Sequence, residues 1–238
     1  MINGGSEQPL IEVRGVHRIF GQGEVEVHAL RGIDLDVESG EFSVLAGPSG
    51  SGKTTLLNVI GCLDQPTKGT VHVDGVEVSK FSKKRAAEFR LHRIGFVFQA
   101  YNLIPVLSAY ENAEFVMMLM GASAKERRET VMELLHEVGL EGMTDRRPHE
   151  LSGGQQQRVA VVRALAARPS VVLADEPTAN LDSEASEDLL DLMVELNQEH
   201  DVTFLFSSHD PVVIDRCRRV IRLDSGEVVG DERDEVSP

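Results

Sequence analysis

The sequence contains few cysteines and no long apolar run. Of its 238 residues only Cys62 and Cys217 are cysteine, and they lie far apart in the chain. This excludes a disulfide framework and is typical of proteins in the reducing cytoplasm. No stretch approaches the ~18 apolar residues that a membrane-spanning helix needs, and no signal peptide opens the chain. We therefore expect a soluble cytoplasmic chain, with any membrane-spanning part on a separate polypeptide.

Basic residues are also scarce relative to acidic ones. The chain has 24 Lys and Arg against 39 Asp and Glu, which gives a formal net charge of −15. Nucleic-acid binding depends on Lys and Arg contacts with phosphates, so this balance argues against a nucleic-acid partner. Two short basic groups, residues 83–85 and the arginines Arg216, Arg218 and Arg219, are interpreted as solvated faces of helices.

A complete phosphate-binding loop lies between a predicted strand, Phe42–Ala46, and a predicted helix over residues 55–60. The loop consists of Gly47, Pro48, Ser49, Gly50, Ser51, Gly52, Lys53 and Thr54. Glycines let the backbone curl so that successive N–H groups face the phosphates of ATP, next to the positive end of the helix dipole. We expect Lys53 to reach the β- and γ-phosphates, Thr54 to ligate Mg²⁺, and Thr55 to complete the ATP site.

An acidic pair follows a second buried strand, Val171–Asp175. Asp175 and Glu176 stand at the carboxyl end of that strand, where open α/β sheets bind their ligands. We expect Asp175 to hold Mg²⁺ and Glu176 to polarise the attacking water. A phosphate-binding loop together with this acidic pair indicates a nucleotide-hydrolysing enzyme.

A second candidate anion site lies between the two strands, in the pentapeptide Leu151, Ser152, Gly153, Gly154 and Gln155. Ser152 is a good helix N-cap, and the two glycines expose N–H groups at the start of a helix predicted over residues 155–167. With these three elements the chain resembles the nucleotide-binding subunits of ATP-binding cassette (ABC) transporters over nearly its whole length. The resemblance implies that residues 152–155 grip the γ-phosphate of ATP bound to a second subunit, so that two copies pair head to tail.

Four further positions match the same family. The resemblance implies that Gln99 completes the Mg²⁺ shell and senses the γ-phosphate, and that His209 contacts the γ-phosphate as a catalytic partner of Glu176 and Lys53. Asp182 matches a loop that crosses the dimer interface and contacts ATP in trans, although it could equally be only the cap of the next helix. Phe20 matches the aromatic that stacks on adenine, with a role in the core as the alternative.

The pattern of elements predicts an α/β fold, a P-loop NTPase (RecA-like) core with an antiparallel β-layer and an inserted α-helical signature subdomain. We expect the core over residues 9–99 and 168–230 and the helical subdomain over residues 100–167. Residues 1–8 are predicted to be a flexible tail and residues 231–238 an acidic tail. Within the core, residues 71–78 give a strong hairpin signal, since Asp74-Gly75 separates two short alternating runs.

The same resemblance supplies a function. It implies an ATP-hydrolysing subunit that forms a homodimer and binds to a permease on a separate chain at the inner face of the cell membrane. Residues 102–105 and 109–112 resemble the segment that meets the permease, and Met117, Met118 and Met120 either line that groove or belong to the core. Residues 61–69 and 155–160 are most similar to cassettes for lipoprotein release and macrolide export. A soluble cassette ATPase acting on DNA or ribosomes is the alternative.

Overall fold

Two sheets with different strand directions form the frame of the molecule. The computed structural model describes residues 8–22 and 25–233, without the side chains of residues 22 and 25. The strands are β1 (Ile11–Gln22), β2 (Val25–Val37), β3 (Phe42–Ala46), β4 (Lys68–Val73), β5 (Val76–Glu77), β6 (Ile94–Phe98), β7 (Val171–Asp175), β8 (Thr203–Ser208), β9 (Arg219–Asp224) and β10 (Glu227–Arg233). The helices are α1 (Lys53–Ile60), α2 (Lys83–Arg93), α3 (Ala109–Leu119), α4 (Ala124–Glu137), α5 (Gly153–Leu165), α6 (Ser183–His200) and α7 (Pro211–Arg216). Short 3₁₀ helices occupy Glu141–Met143 and Pro148–Glu150.

The larger sheet is the core of the predicted α/β fold. Its strand order is β10-β9-β3-β8-β7-β6, and every neighbouring pair is parallel except β9 with β10. The smaller sheet, ordered β2-β1-β4-β5, is entirely antiparallel and is the predicted β-layer. Its β4–β5 pair is the hairpin predicted at Asp74-Gly75. The fold class expected from the sequence is therefore confirmed.

Two hydrophobic cores cover the two faces of the larger sheet. Successive residues of a strand point to opposite faces, and β8 follows this rule with wholly buried side chains. Phe204 and Phe206 pack with Phe42 toward α6 and the helical subdomain. Leu205 packs on the other face with α1 and the antiparallel layer. The helical subdomain and the β-layer are therefore held against opposite sides of one sheet.

Serine N-caps set the helix starts in the inserted subdomain. Ser108, Ser123 and Ser152 each accept a hydrogen bond from the backbone N–H three residues later. Because these caps satisfy backbone donors that a helix start leaves unpaired, α4 begins at Ala124, and α5 begins at Gly153, two residues before its predicted start. α5 ends at Leu165, two residues short of the predicted end.

The two cysteines are buried and lie on different elements. Burial raises the pKa of Cys62 to about 11 and that of Cys217 to about 12, so both thiols stay protonated at neutral pH. Neither thiol therefore has the lowered pKa of a reactive cysteine. No helix of residues 8–22 and 25–233 is long and apolar enough to cross a membrane.

Two interpretations at the C-terminal end are wrong. Arg219 is not on a solvated helix face but lies in β9 with only 5% of its surface exposed. Its guanidinium binds Asp231 and Glu41 at 2.8 and 2.9 Å and the carbonyl of Asp36 at 2.6 Å. Asp231 was assigned to the tail, yet it belongs to β10, which runs to Arg233, because a buried guanidinium requires carboxylate partners. Residues 1–7 and 234–238 of the predicted tails lie outside the described residues.

Hydrogen bonds hold this cluster in its charged state. Burial lowers the pKa of Arg219, but the hydrogen bonds with Asp231 and Glu41 outweigh it and raise the pKa above its ordinary value. The Arg219 hydrogen bond in turn lowers the pKa of Asp231. The carboxylate of Asp231 therefore stabilises the fold at neutral pH, and this contribution disappears as the pH falls below the ordinary Asp range through the lowered pKa.

We expect Arg219→Met to reduce the free energy of unfolding by about 3 kcal/mol, because it leaves Glu41 and Asp231 without their buried partner. Arg222→Met is the matched control, since Arg222 pairs with Glu232 at the same 2.8 Å on the same hairpin but in solvent. Exposed pairs contribute little, so the control should change far less. Urea unfolding at neutral pH compares the two, and equal losses would contradict the role of the buried cluster.

Candidate functional site

Four parallel strands end at the same edge of the larger sheet and bring the predicted site residues together. Phe98 of β6 is in register with Asp175 of β7, Asp175 with Ser207 of β8, and Ser208 with Ala46 of β3. The segments that follow these strands carry Gln99, Glu176, His209 and the phosphate-binding loop. Because parallel strands share one carboxyl edge, residues more than a hundred positions apart in sequence become neighbours.

The phosphate-binding loop curls around the ammonium group of Lys53. Gly52 has a φ of 107° and caps α1, which therefore begins at Lys53, two residues before the predicted start. The buried Lys53 donates from Nζ to the carbonyls of Gly47 and Pro48 at 2.7 and 3.1 Å. The positive charge thus lies inside the loop, beside the first N–H groups of α1.

Thr54 and Asp175 form a pair of oxygen ligands at the start of α1. The Thr54 hydroxyl donates to Oδ1 of Asp175 at 3.0 Å. Hydroxyl and carboxylate oxygens at this spacing suit Mg²⁺, which prefers hard oxygen ligands and is usually bound by one or two protein groups. Both residues were predicted as metal ligands, and the arrangement of their oxygens fits Mg²⁺.

Glu176 is held in a strained turn with its carboxylate at the cleft. Its φ of 46° lies in the left-handed region, which costs of order 1–3 kcal/mol for a non-glycine residue. Asp175 contacts Thr54 and Glu176 lines the cleft, so these two adjacent acids both reach the same edge of the sheet. Oε1 of Glu176 lies 2.8 Å from Nδ1 of His209, and Oε2 accepts a hydrogen bond from the Ser208 hydroxyl at 3.0 Å.

The same network continues into the segment after β8. Asp210 donates its backbone N–H to the Ser208 hydroxyl and caps α7 with its carboxylate. That carboxylate also accepts a hydrogen bond from Thr178 at 3.3 Å. The Glu176 carboxylate is therefore oriented by a hydroxyl and an imidazole from two adjacent residues, Ser208 and His209, whose segment is anchored through Asp210.

The cleft at this edge has a volume of about 430 Å³, within the usual range for small-ligand sites. Its walls include most of the predicted ATP-site residues. The lining residues are Val27, His28, Ala29, Ser49, Gly50, Ser51, Gly52, Lys53, Thr54, Thr55, Gln99, Glu176, Ala179 and His209. The three β2 residues among them were missed, since an alternating strand pattern carries no signal for a nucleotide contact.

Phe20 and the pentapeptide are not among the residues that line this cleft. Phe20 is 40% exposed on β1, so it is not a core residue, and the guanidinium of Arg18 lies 4.2 Å from its ring centroid. Its stacking on adenine stays a prediction. Asp182 accepts a hydrogen bond from the Ala185 N–H at 2.8 Å and so caps α6, which is the alternative role named for it from the sequence. Its contact with ATP in trans stays a prediction.

The pentapeptide forms the N-terminus of α5. Ser152 accepts from the Gln155 N–H at 3.3 Å, and the Gln155 side chain accepts from the Ser152 N–H at 2.9 Å. This capping box leaves Gly153 and Gly154 as the first two helical residues, and the N–H groups of those positions have no partner within the helix. The exposed Ser152 is at the surface, so the segment has the geometry of an anion site facing outward.

Comparison with known proteins agrees with this geometry. A protein-family model described as ABC transporter matches residues 30–179. The chain belongs to the ABC transporter family. It is 46% identical over 94% of its length to the lipoprotein-releasing system ATP-binding protein LolD of Anaeromyxobacter dehalogenans, covering 94% of that relative. It is also 46% identical to the macrolide export ATP-binding/permease protein MacB of Hyphomonas neptunium, over 94% of this chain but only 34% of MacB.

A solved structure resembles the whole fold. The ATP-binding cassette MJ0796, in a dimeric post-hydrolysis state bound to ADP and Pi, matches with a TM-score of 0.87 and 40% sequence identity. The match covers 95% of this chain and 100% of MJ0796. The chain is thus an ATP-binding cassette with ATPase function, as the sequence predicted.

The cassette also contains linking residues that the sequence analysis missed. The wholly buried Gln157 of α5 donates to the carbonyls of Pro177 and Phe98 at 2.8 and 3.4 Å. Asn180 donates to the carbonyl of Gln99 at 2.8 Å. These bonds connect the pentapeptide helix, the strand end before Gln99 and the segment after Glu176. A polar residue in an amphipathic helix gives no sequence signal for such a role.

The predicted permease-facing segments divide into surface and core. Asn112 is wholly buried, where its side chain accepts from the Ile104 N–H and donates to the carbonyls of Ile104, Leu107 and Ser108. Ala109 and Met117 are also buried, so these three positions stabilise the cassette and do not offer surface to a partner. Asn102 and Met118 remain accessible.

We expect Gly47→Ala to weaken both folding and ATP binding. A Cβ at Gly47 would lie 2.1 Å from the carbonyl oxygen of Leu223, so the phosphate-binding loop or β9 must move. Gly121→Ala is the control, because Gly121 also has positive φ but open space around it, and backbone strain alone costs about 1–3 kcal/mol. Urea unfolding and ATP titration by calorimetry would measure both effects. If Gly47→Ala and Gly121→Ala lowered the free energy of unfolding and the ATP affinity equally, the expected clash with the Leu223 carbonyl would be contradicted.

Proposed function

We propose that this cassette hydrolyses ATP with Mg²⁺ as the head-to-tail homodimeric subunit of an export or release transporter. Each cleft would be completed by the pentapeptide of the other copy, and a permease on a separate chain would receive the resulting motion. One observation carries the proposal. Within one chain the N-terminus of α5 faces outward and does not line the ATP-site cleft, so it cannot complete the cleft of its own copy. A dimer that faces these two surfaces toward each other encloses the γ-phosphate from both sides.

Residues of one copy account for water activation and phosphate binding. Glu176 would accept a proton from the attacking water, since its carboxylate is oriented by Ser208 and His209 at the cleft. Lys53 and the N–H groups at the start of α1 would compensate the charge of the β- and γ-phosphates. Mg²⁺, held by Thr54 and Asp175 with Gln99 nearby in the cleft, would neutralise the charge that develops on the phosphates.

The second copy would contribute stabilisation that no residue of the first supplies. The N–H groups of Gly153 and Gly154 and the Ser152 hydroxyl would contact the γ-phosphate, in the role that an arginine finger has in other nucleotide hydrolases. Asp182 would lie at the same interface. The dimeric state of MJ0796 supports this arrangement.

A groove beside the helical subdomain is the proposed permease site. It has a volume of about 370 Å³ and lies between α2 with β6 on one side and α3 with α5 on the other. Leu63, Leu91, Asn102 and Val116 are among its lining residues. Apolar side chains stay exposed in this region, at Leu63, Val106, Met118 and Leu119, and a permease helix would cover them. The cassette would thus lie on the inner face of the cell membrane.

The names of the relatives favour release of lipoprotein or export of macrolide as the transporter's task. LolD and MacB share 46% identity with this chain, and the similarity spans the cassette in both. The cargo of such a transporter would be selected by the permease, because the cassette's own cleft would hold nucleotide.

We expect Glu176→Gln to retain ATP binding, stop hydrolysis and trap the ATP-bound dimer. The amide keeps the size of the side chain and its contact with Ser208 but cannot accept the water proton. Phosphate release measures turnover, and size-exclusion chromatography with ATP measures the dimer. Hydrolysis at the parental rate would remove Glu176 from the mechanism.

Ser152→Arg is the test of the shared site. We expect it to reduce turnover by at least about 10³-fold while leaving ATP binding by the monomer intact, because Ser152 would act only on the other copy's ATP. Ser123→Arg is the matched control, since Ser123 is also exposed and caps α4 through the same kind of hydrogen bond. Unchanged turnover in Ser152→Arg, or an equal loss in Ser123→Arg, would contradict the proposal.

A further inference from the structure

One segment of this acidic chain carries a concentrated positive charge that the ATPase mechanism does not use. Residues 80–93 contain six Lys or Arg residues and a single acid, Glu88, in a chain whose net charge is −15. Most of these residues are on α2, which precedes the strand leading to Gln99. Such a reversal of charge over a few turns of helix can attract an anionic partner to this part of an acidic chain.

Part of this charge has no acidic partner within the molecule. Lys80 and Arg93 at the two ends of the segment pair with Glu77 and Asp74. Lys83 and Lys84, in contrast, are exposed and have no carboxylate within 4.0 Å among the residues that the structure describes. Arg85 lies over the ring of Phe81, and Arg90 donates to the carbonyl of Cys62. We call Lys83, Lys84, Arg85 and Arg90 the basic surface.

The basic surface borders the groove proposed for the permease. Leu63 and Arg90 line that groove and also a neighbouring cavity of about 730 Å³. Lys83, Arg18 and Phe81 lie on the walls of the second cavity. The two concavities therefore share a wall on α2, and a permease in the groove would bring the basic surface to the membrane side of the cassette. This step rests on the proposed function.

We propose that the basic surface binds the anionic phosphate headgroups of the inner leaflet beside the permease. Clusters of four to eight Lys and Arg residues near a membrane surface bind anionic lipid headgroups. The rest of the acidic cassette is repelled by the same leaflet, so the basic surface also fixes which side faces the lipid. The exposed Leu63 lies beside it and suits the interface between headgroups and acyl chains.

Long, unpaired side chains favour lipid over a protein segment as the occupant. Lys83 and Lys84 stand on the exposed first turn of α2, and no carboxylate or aromatic ring in the described part of the chain holds them in one geometry. Mobile point charges of this kind fit headgroups that diffuse, whereas recognition of a fixed carboxylate normally uses the planar fork of arginine.

Vesicle binding tests the proposal with the purified chain. The probe is a vesicle of phosphatidylcholine, alone or mixed with phosphatidylglycerol, and flotation measures the bound fraction at low and physiological ionic strength. We expect binding only with phosphatidylglycerol, weakened by salt. In Lys83→Ala/Lys84→Ala the partition coefficient should fall at least about tenfold.

Lys125→Ala/Arg128→Ala is the matched control. Both residues are exposed near the start of α4, and the double variant has the same net charge. It should bind phosphatidylglycerol vesicles like the parent. ATP hydrolysis in solution should be unchanged in both double variants, which shows that they fold and keeps this result separate from the tests of the proposed function.

Three outcomes would overturn the proposal: no preference of the parent for phosphatidylglycerol, equal losses in the two double variants, or unchanged binding in Lys83→Ala/Lys84→Ala. The first would make an acidic segment of the permease the better occupant of the basic surface. Equal losses in the two double variants would mean that vesicle binding depends on the net charge of the protein and not on the position of the basic surface.

Discussion

The parallel register of β3, β8, β7 and β6 is the constraint on which the site depends. These strands end side by side, so the phosphate-binding loop, Gln99, Glu176 and His209 meet although they come from separate parts of the chain. The register is fixed by side chains that alternate between two buried faces, since a slip of one residue would move Phe204 and Phe206 to the wrong core. Packing far from the cleft therefore determines the chemistry at the edge.

The edge is also where the chain departs from relaxed geometry. Glu176 has positive φ, and Lys53 is buried among carbonyl oxygens of its own loop. Both are tolerated because the neighbouring strands and the Ser208–Asp210 segment hold the turn from outside. Strain of this kind is found at functional sites, where a side chain must be aimed in a direction that ordinary backbone would not allow.

Two further features connect the cleft to the rest of the molecule. Gln157 and Asn180 join the pentapeptide helix to the segments that carry Gln99 and Glu176, so a shift at one can be transmitted to the others through short hydrogen bonds. The α2 helix precedes β6, the strand that leads to Gln99, and combines one wall of the proposed permease groove with the basic surface. Nucleotide, permease and lipid would then act on segments that are joined to the same strand.

The sequence by itself determined the fold class, the phosphate-binding loop, the acidic pair, the pentapeptide and the position of His209, because each depends on local spacing and on strand ends. It also located β3, β7, the β4–β5 hairpin, α1 and α5, with errors of two residues at the ends of the two helices. Only the tertiary structure decided that Arg219 and Asp231 form a buried pair, that Asn112 is a core residue and that Gln157 and Ser208 support the site. These roles depend on which distant backbone carbonyls and carboxylates lie within hydrogen-bond distance, and a linear pattern of residues does not contain that distance.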